Sequence, residues 1–263
     1  MDTHTVDTHT TQPIDEVAEF VSTLFATPAH RLTACRGWTA HELVAHLAAG
    51  AAEEADLIES HLARAPERPT RTHEARELPY RALPDPELRE RLVENAGRLA
   101  TLLDQLGTPD PTARVLFTGR PVTAADFTMH SRSECALHRW DLVGRDDVGW
   151  AMLSTPALTE HALTVLTSMS TLPEAPTNRL GTRSSSGDTR LVLRSAPHDD
   201  VVITLADGTL AMALEPMSDT APAAELEPAA RLLALWGRRD SGAPVDVYAH
   251  GEDRRRLETL FGW

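Results

Sequence analysis

The chain of 263 residues contains no lysine, so all 25 of its basic residues are arginines, and they are outnumbered by 39 acidic residues. The net charge of −14 leaves no basic footprint for phosphates, and we therefore expect no nucleic-acid partner. The sequence also lacks a run of about 18 apolar residues, so no membrane-spanning helix is expected.

Cysteine is scarce as well. Cys35 and Cys135 are too few for a disulfide framework, and the sequence gives no sign that either thiol is activated. The N-terminus has neither the basic nor the apolar region of a signal peptide, and residues 1–13 are expected to form a disordered polar tail. These features predict a reduced, cytoplasmic protein. A hydrophobic content of 41% is sufficient for a real core.

The most informative segment is residues 124–145, which has helical character and contains Glu134 and His138. Residues four apart lie one turn above each other on the same face of a helix. The ionisable stripe on this face continues through Asp126, His130 and Asp141. A carboxylate and an imidazole on one face can bind a metal ion if another segment supplies a further ligand.

The best candidate for that further ligand is His46. Thr39 and Glu42 are spaced as in a capping box, which predicts that a helix begins near residue 40. His46 falls on the apolar stripe of this helix. His41 lies in the first turn, away from the stripe, and is the weaker candidate.

Each motif also has a simpler explanation. Glu134 and His138 could form an ordinary surface pair, and His46 could be a core histidine that bonds a backbone carbonyl. The ionisable stripe could be paired at the surface by neighbouring arginines, namely Arg132, Arg139 and Arg145. The residues alone leave a metal site and a structural role equally open.

Two motifs together resemble the mycothiol-dependent maleylpyruvate isomerase family: G-W-T-x-x-E-L-V-x-H-L-A at residues 37–48 and E-x-x-x-H-x-x-D at residues 134–141. The resemblance implies a DinB-like four-helix bundle in which a divalent metal, with zinc as the expected ion, is bound by His46, Glu134 and His138. The segment of residues 232–238 is similar to part of the family's small α+β second domain.

The sequence pattern agrees with an α+β architecture of two domains. We expect a DinB-like bundle over residues 14–170, a Pro-, Gly- and Ser-rich linker over 171–189 and a small α+β domain over 190–263. The expected bundle helices are 14–25, 40–65, 87–106 and 124–145, with a further helix at 157–169 and a polar connection over 66–86. The second domain is expected to contain strands at 191–193, 201–205, 210–214 and 245–248 and helices at 228–236 and 253–261, with a hairpin turn at 207–208.

The resemblance also implies a function. In the family, the metal activates mycothiol for addition to an electrophilic small molecule, as in the cis–trans isomerisation of maleylpyruvate. The alternatives are a mycothiol S-transferase that acts on another electrophile, a non-catalytic metal or thiol sensor, and a purely structural bundle. We expect a monomer or homodimer whose ligands are mycothiol and the electrophile.

Two further residues are candidates for a role in catalysis. Asp141, three residues from His138, could orient its imidazole, or it could be a surface carboxylate at the end of the helix. The resemblance implies an essential arginine in the second domain. Arg238 is the best match for such an anion-binding role, with Arg231 and Arg239 as alternatives, although arginines of this kind often only cover a helix surface.

Overall fold

The computed structural model describes residues 14–35, 37–168, 189–206, 209–239, 242 and 245–261. The expected tail at 1–13, the expected turn at 207–208 and all but the last residue of the expected linker lie outside these residues. Within the described ranges, no helix is both long and apolar enough to cross a membrane.

The N-terminal domain is a helical bundle, as the sequence predicted. Its helices are α1 (Glu16–Phe25), α2 (Ala40–Leu62), α3 (His73–Arg81), α4 (Asp85–Gly107), α5 (Ala124–Val143), α6 (Asp147–Leu153) and α7 (Pro156–Ser168). Helix α2 packs along α4, α1 packs along α5, and α5 also contacts α2 and α4. These four helices form the bundle core.

The capping residues of α2 and α5 fix where the two site-bearing helices begin. The Thr39 side chain accepts a hydrogen bond from the backbone N–H of Glu42, whose carboxylate accepts one from the Thr39 N–H in return. Thr123 and Asp126 form the same reciprocal cap on α5, so Asp126 serves the helix start. Gly144, with a φ of +77°, ends α5 two residues earlier than expected.

The connection between the second and third predicted helices is not simply a polar loop, which corrects the sequence prediction. It contains α3, whose first turn is capped by the Thr72 side chain. The charged composition of α3 and Pro79 within it conceal the helix in the sequence. On its inner face, Arg76 and Glu77 are buried. A short hairpin of β1 (Val115–Phe117) and β2 (Arg120–Val122) precedes α5.

In the residues that the structure describes, the C-terminal domain is a five-stranded sheet with two helices. It comprises β3 (Thr189–Ser195), β4 (His198–Ala206), β5 (Thr209–Glu215), β6 (Ala224–Leu226), α8 (Pro228–Leu235), β7 (Val245–Val247) and α9 (Gly251–Phe261). The strand order is β5-β4-β3-β6-β7, antiparallel except for the β3–β6 pair. The three-residue strand β6 was missed because so short a segment has no readable alternation.

The two domains share one hydrophobic core. This core joins Trp140 of α5 and Leu166 of α7 to Leu193 of the sheet and Leu233 of α8. Helix α7 contacts both α5 and the second domain. The shared core brings the end of α8 to the same end of α5 that contains His138.

Candidate metal centre

His46, Glu134 and His138 come together between α2 and α5. The Glu134 Oε2 atom lies 3.4 Å from Nε2 of His46 and 3.3 Å from Nε2 of His138. Donor atoms that share a tetrahedral zinc ion at about 2.0–2.1 Å are themselves about 3.3–3.4 Å apart. The spacing of these three side chains therefore fits a shared metal ion.

Each imidazole contacts a buried carboxylate through its Nδ1 atom. His46 Nδ1 lies 2.7 Å from Oε1 of Glu77, and His138 Nδ1 lies 2.8 Å from Oδ2 of Asp141. A carboxylate acceptor at Nδ1 places the proton there and leaves the Nε2 lone pair for a metal. Asp141 is only 3% exposed, so the alternative of a surface carboxylate is wrong.

The electrostatics of the cluster suit a cation. Burial opposes charge on Glu134, but the hydrogen bonds from His138 and His46 outweigh it and hold the Glu134 pKa well below its usual range. Burial likewise opposes charge on His138, yet its bonds to Asp141, Cys35 and Glu134 raise its pKa well above the usual value. Metal binding would displace any proton held at Nε2 of His138.

Arg238 reaches this cluster from the second domain. Its Nε and Nη2 atoms donate to the two oxygens of Asp141 at 2.9 and 2.8 Å, which is a bidentate ion pair. The Cys35 thiol donates to the same carboxylate, with Sγ 3.1 Å from Oδ2. Arg231 lies elsewhere, buried against the carbonyls of Leu193 and Asp199. The alternative interpretation, in which Arg231 only covers a helix surface, is therefore wrong.

Two further groups of side chains could in principle gather a cation: Cys35, His138 and Asp141, and also His46, His73 and Glu77. In each group the carboxylate already forms an ion pair with an arginine, Arg238 in the first and Arg81 in the second. Among the described residues no arginine pairs with Glu134. The site of His46, Glu134 and His138 is accordingly the best ligand set.

The other sequence candidates lie outside this ligand set. His41 contacts Asp85 and a backbone carbonyl. The Nδ1 atom of His130 faces Nε2 of His161 at 3.3 Å. Burial raises the pKa of Cys135, which disfavours the thiolate that a metal would bind. The arginines proposed as surface partners bond other acids: Arg132 with Glu16, Arg139 with Asp146 and Arg145 with Glu227.

A cavity of about 1680 Å³ opens onto the candidate ligands. Trp38 and His73 line it from the bundle, and Trp236, Arg238 and Arg239 line it from the second domain. Single small-molecule sites usually have volumes of about 300–1,000 Å³. The cavity can hold a thiol and a second small molecule together.

Sequence reasoning missed Glu77 and Cys35. Glu77 had a readable signal, since Thr72, His73 and Glu77 have the spacing of a capped helix with an i,i+4 pair. Cys35 had none, because its partner Asp141 is 106 residues away in the chain. Only the folding of the segment before α2 against the end of α5 reveals that contact.

The comparisons with known proteins bear on the family and the fold. The family model for the mycothiol maleylpyruvate isomerase N-terminal domain matches residues 11–143. The chain therefore belongs to the mycothiol-dependent maleylpyruvate isomerase family, as the sequence motifs predicted. No curated protein matches the sequence.

Two solved structures share the fold. One is a mycothiol-dependent maleylpyruvate isomerase, with 18% identity, a TM-score of 0.58 and 88% of each chain covered. The other is a mutant of a mycothiol-dependent maleylpyruvate isomerase, with 16% identity, a TM-score of 0.59 and 88% of each chain covered. At these identities the likeness establishes the two-domain fold alone.

Glu54 of α2 is a further buried acid that lines the cavity. Burial, and then the negative charge of Glu134, raise its pKa to about 8, against an opposing effect of Arg76. Burial lowers the pKa of His130 and, together with His130, lowers that of His161 to about 4. These shifts favour the uncharged forms of Glu54, His130 and His161 at neutral pH.

Glu54→Gln is expected to flatten the pH dependence of the free energy of unfolding. A carboxyl whose pKa rises from 4.5 to about 8 on folding keeps its proton only in the folded state between these values. The unfolded state binds fewer protons there, so wild-type stability falls as the pH rises through this window. Urea unfolding between pH 4.5 and 8 measures the slope.

The exposed Glu90 of α4 supplies the matched control, and Glu90→Gln should retain the wild-type slope. A Glu54→Gln protein that lost stability with pH as steeply as wild type would contradict the assignment of a protonated Glu54.

Proposed function

We propose that this protein is a mycothiol-dependent metalloenzyme that adds the thiol to an electrophilic small molecule. A divalent ion, with zinc as the expected one, would be held by His46, Glu134 and His138. The observation that supports this most is the convergence of two Nε2 atoms and one carboxylate oxygen at the wall of a cavity. Both imidazoles carry a buried carboxylate at Nδ1, as metal-binding histidines do.

The chemistry needs a thiolate. A divalent ion held by His46, Glu134 and His138 would supply a Lewis acid that binds a thiol and favours its deprotonation at neutral pH. Glu77 and Asp141 keep the two imidazoles in the tautomer that binds, and Arg238 keeps Asp141 in place. We assign Arg238 a positioning role, because Asp141 already occupies two of its nitrogen atoms.

The proposed reaction is cis–trans isomerisation. The thiolate sulfur adds to one carbon of an activated double bond, and the electron pair moves onto the adjoining carbonyl as an enolate. The former double bond is now single and can rotate. Expulsion of the thiolate restores the double bond in the trans form, so the thiol is regenerated. If the adduct is instead protonated and released, the same site acts as an S-transferase.

The protein's own cysteines are poor candidates for the nucleophile, which supports the use of an external thiol. Burial raises the pKa of Cys135, which disfavours its thiolate. Cys35 donates to Asp141 and therefore belongs to the hydrogen bonds behind His138. Neither is well placed as a nucleophile, whereas the cavity is large enough for a thiol cosubstrate beside the electrophile.

The purified protein is expected to hold about one divalent ion per chain. His46→Ala, Glu134→Ala and His138→Ala should each lose it, because each removes one of three ligands. His41→Ala, on the same helix as His46 but bonded to Asp85, should keep it. Elemental analysis of the five proteins is the measurement. Full retention by all three ligand variants would remove the proposed site.

Arg238→Ala is expected to keep its metal when the ion is supplied in excess, yet to lose turnover by about 10–100-fold. The three ligands remain, but Asp141 loses the arginine that fixes it behind His138. Arg238→Lys should recover only part of the activity, since an ammonium cannot reproduce the bidentate contact with Asp141. The measurements are metal content, kcat and KM.

Arg254→Ala is the control for this experiment. Arg254 is an exposed arginine of the same domain that pairs with Glu258. Unchanged kinetics in Arg238→Ala would exclude Arg238 and direct attention to Arg239, which also lines the cavity.

Turnover is expected to require mycothiol. With maleylpyruvate as the electrophile, isomerisation should leave the thiol intact, whereas S-transfer should accumulate an adduct in proportion to the thiol consumed. Mass spectrometry of reactions with and without mycothiol separates these outcomes. The His138→Ala protein provides the background rate. Equal rates with and without thiol would disprove the mechanism.

A further inference from the structure

The arginines that line the cavity are not equivalent. Three of them engage a buried carboxylate among the described residues: Arg81 bonds Glu77 at 2.5 Å, Arg132 bonds Glu16 at 2.8 Å and Arg238 bonds Asp141 at 2.8 Å. In each pair the charge of the guanidinium is balanced within the protein. These arginines therefore have a structural explanation that needs no ligand.

Arg76 of α3 lines the same cavity without such a partner. Its side chain is nearly buried, with only 7% of the residue exposed. Nη2 donates to Nδ1 of His73 at 3.0 Å, and Nε is buried with no acceptor. Across the described ranges, no carboxylate lies within 4.0 Å of this guanidinium. A buried cation with no carboxylate beside it is costly, unless a ligand supplies the missing negative charge.

Glu54 interacts electrostatically with Arg76, but it does not balance the charge of the guanidinium. Its carboxyl group is beyond ion-pair distance from Arg76, and its pKa of about 8 leaves it mostly protonated at neutral pH. Neither neighbouring histidine can balance Arg76, because an imidazole is neutral or positive, and the lowered pKa values of His130 and His161 favour the neutral form. This region consequently offers an unbalanced positive charge to an entering molecule.

Arg76 is also close to the candidate metal ligands. Its partner His73 stacks on the His46 ring, with ring centres 5.6 Å apart and planes 8° from parallel. The residue after Arg76 is Glu77, which bonds Nδ1 of His46. A short molecule bound at Arg76 by one end can therefore present its other end near His46.

We propose that Arg76 binds a carboxylate of the electrophilic substrate and so selects short, carboxylate-bearing electrophiles over neutral ones. This deepens the proposed function and rests on it. A guanidinium binds a carboxylate through two parallel N–H donors, which fixes both position and orientation. Arg238 is less suited to this role, because Asp141 already occupies its Nε and Nη2 atoms.

The test is the binding of maleate, a short dicarboxylate, measured by calorimetry without thiol. Arg76→Gln should weaken maleate binding by about 10–100-fold, the effect of losing hydrogen bonds to a charged group. Arg76→Lys should be intermediate, because it retains the charge but not the paired donors. Maleamide, which is neutral, should bind all variants alike.

Arg91→Gln is the matched control, since Arg91 is an exposed arginine of α4 that pairs with Glu94. Each titration is repeated after removal of metal with a chelator, because maleate held by Arg76 should still bind, whereas maleate held only by the ion should not. Metal content and mycothiol-dependent turnover are measured separately. A failure of the proposed function can therefore be told apart from a failure of the Arg76 proposal. Equal maleate affinity in wild type and Arg76→Gln, or no maleate binding by wild type, would overturn the proposal.

Discussion

The structure depends above all on the buried carboxylate of Asp141. It accepts hydrogen bonds from His138 and Cys35 of the bundle and from Arg238 of the second domain. These contacts hold its pKa well below the usual range, although burial alone would raise it. One ionised group thus orients a candidate metal ligand and joins the two domains at the cavity. A buried charge is tolerated there because several donors surround it.

The same arrangement is repeated at His46. Glu77 of α3 accepts from the His46 imidazole and from Arg81, and its pKa is likewise held low against the effect of burial. Both imidazoles are therefore fixed by an acid that an arginine neutralises. Glu134 differs, since its carboxylate contacts two imidazoles and forms no ion pair with an arginine of the described residues. That difference identifies the carboxylate available to a cation.

Family membership explains the fold, whereas the side chains around the cavity bear on which molecule binds. Membership of the mycothiol-dependent maleylpyruvate isomerase family accounts for the bundle and the α+β domain packed on it. The side of the cavity formed by α3 includes Arg76 and His73. Within this fold, the Arg76 guanidinium is the feature of the cavity wall on which we base the proposed choice of electrophile.

The sequence by itself determined the helices with strong start signals and the face on which each ligand lies. The capping pairs Thr39–Glu42 and Thr123–Asp126 fixed α2 and α5, and the i,i+4 spacing put Glu134 and His138 together, because these are local properties of a helix. Only the tertiary structure decided that Cys35 and Arg238 meet at Asp141, since they are far apart in the chain. It also decided that Arg76 is buried without a carboxylate partner among the described residues, because burial and charge balance depend on how α3 packs against the rest of the fold.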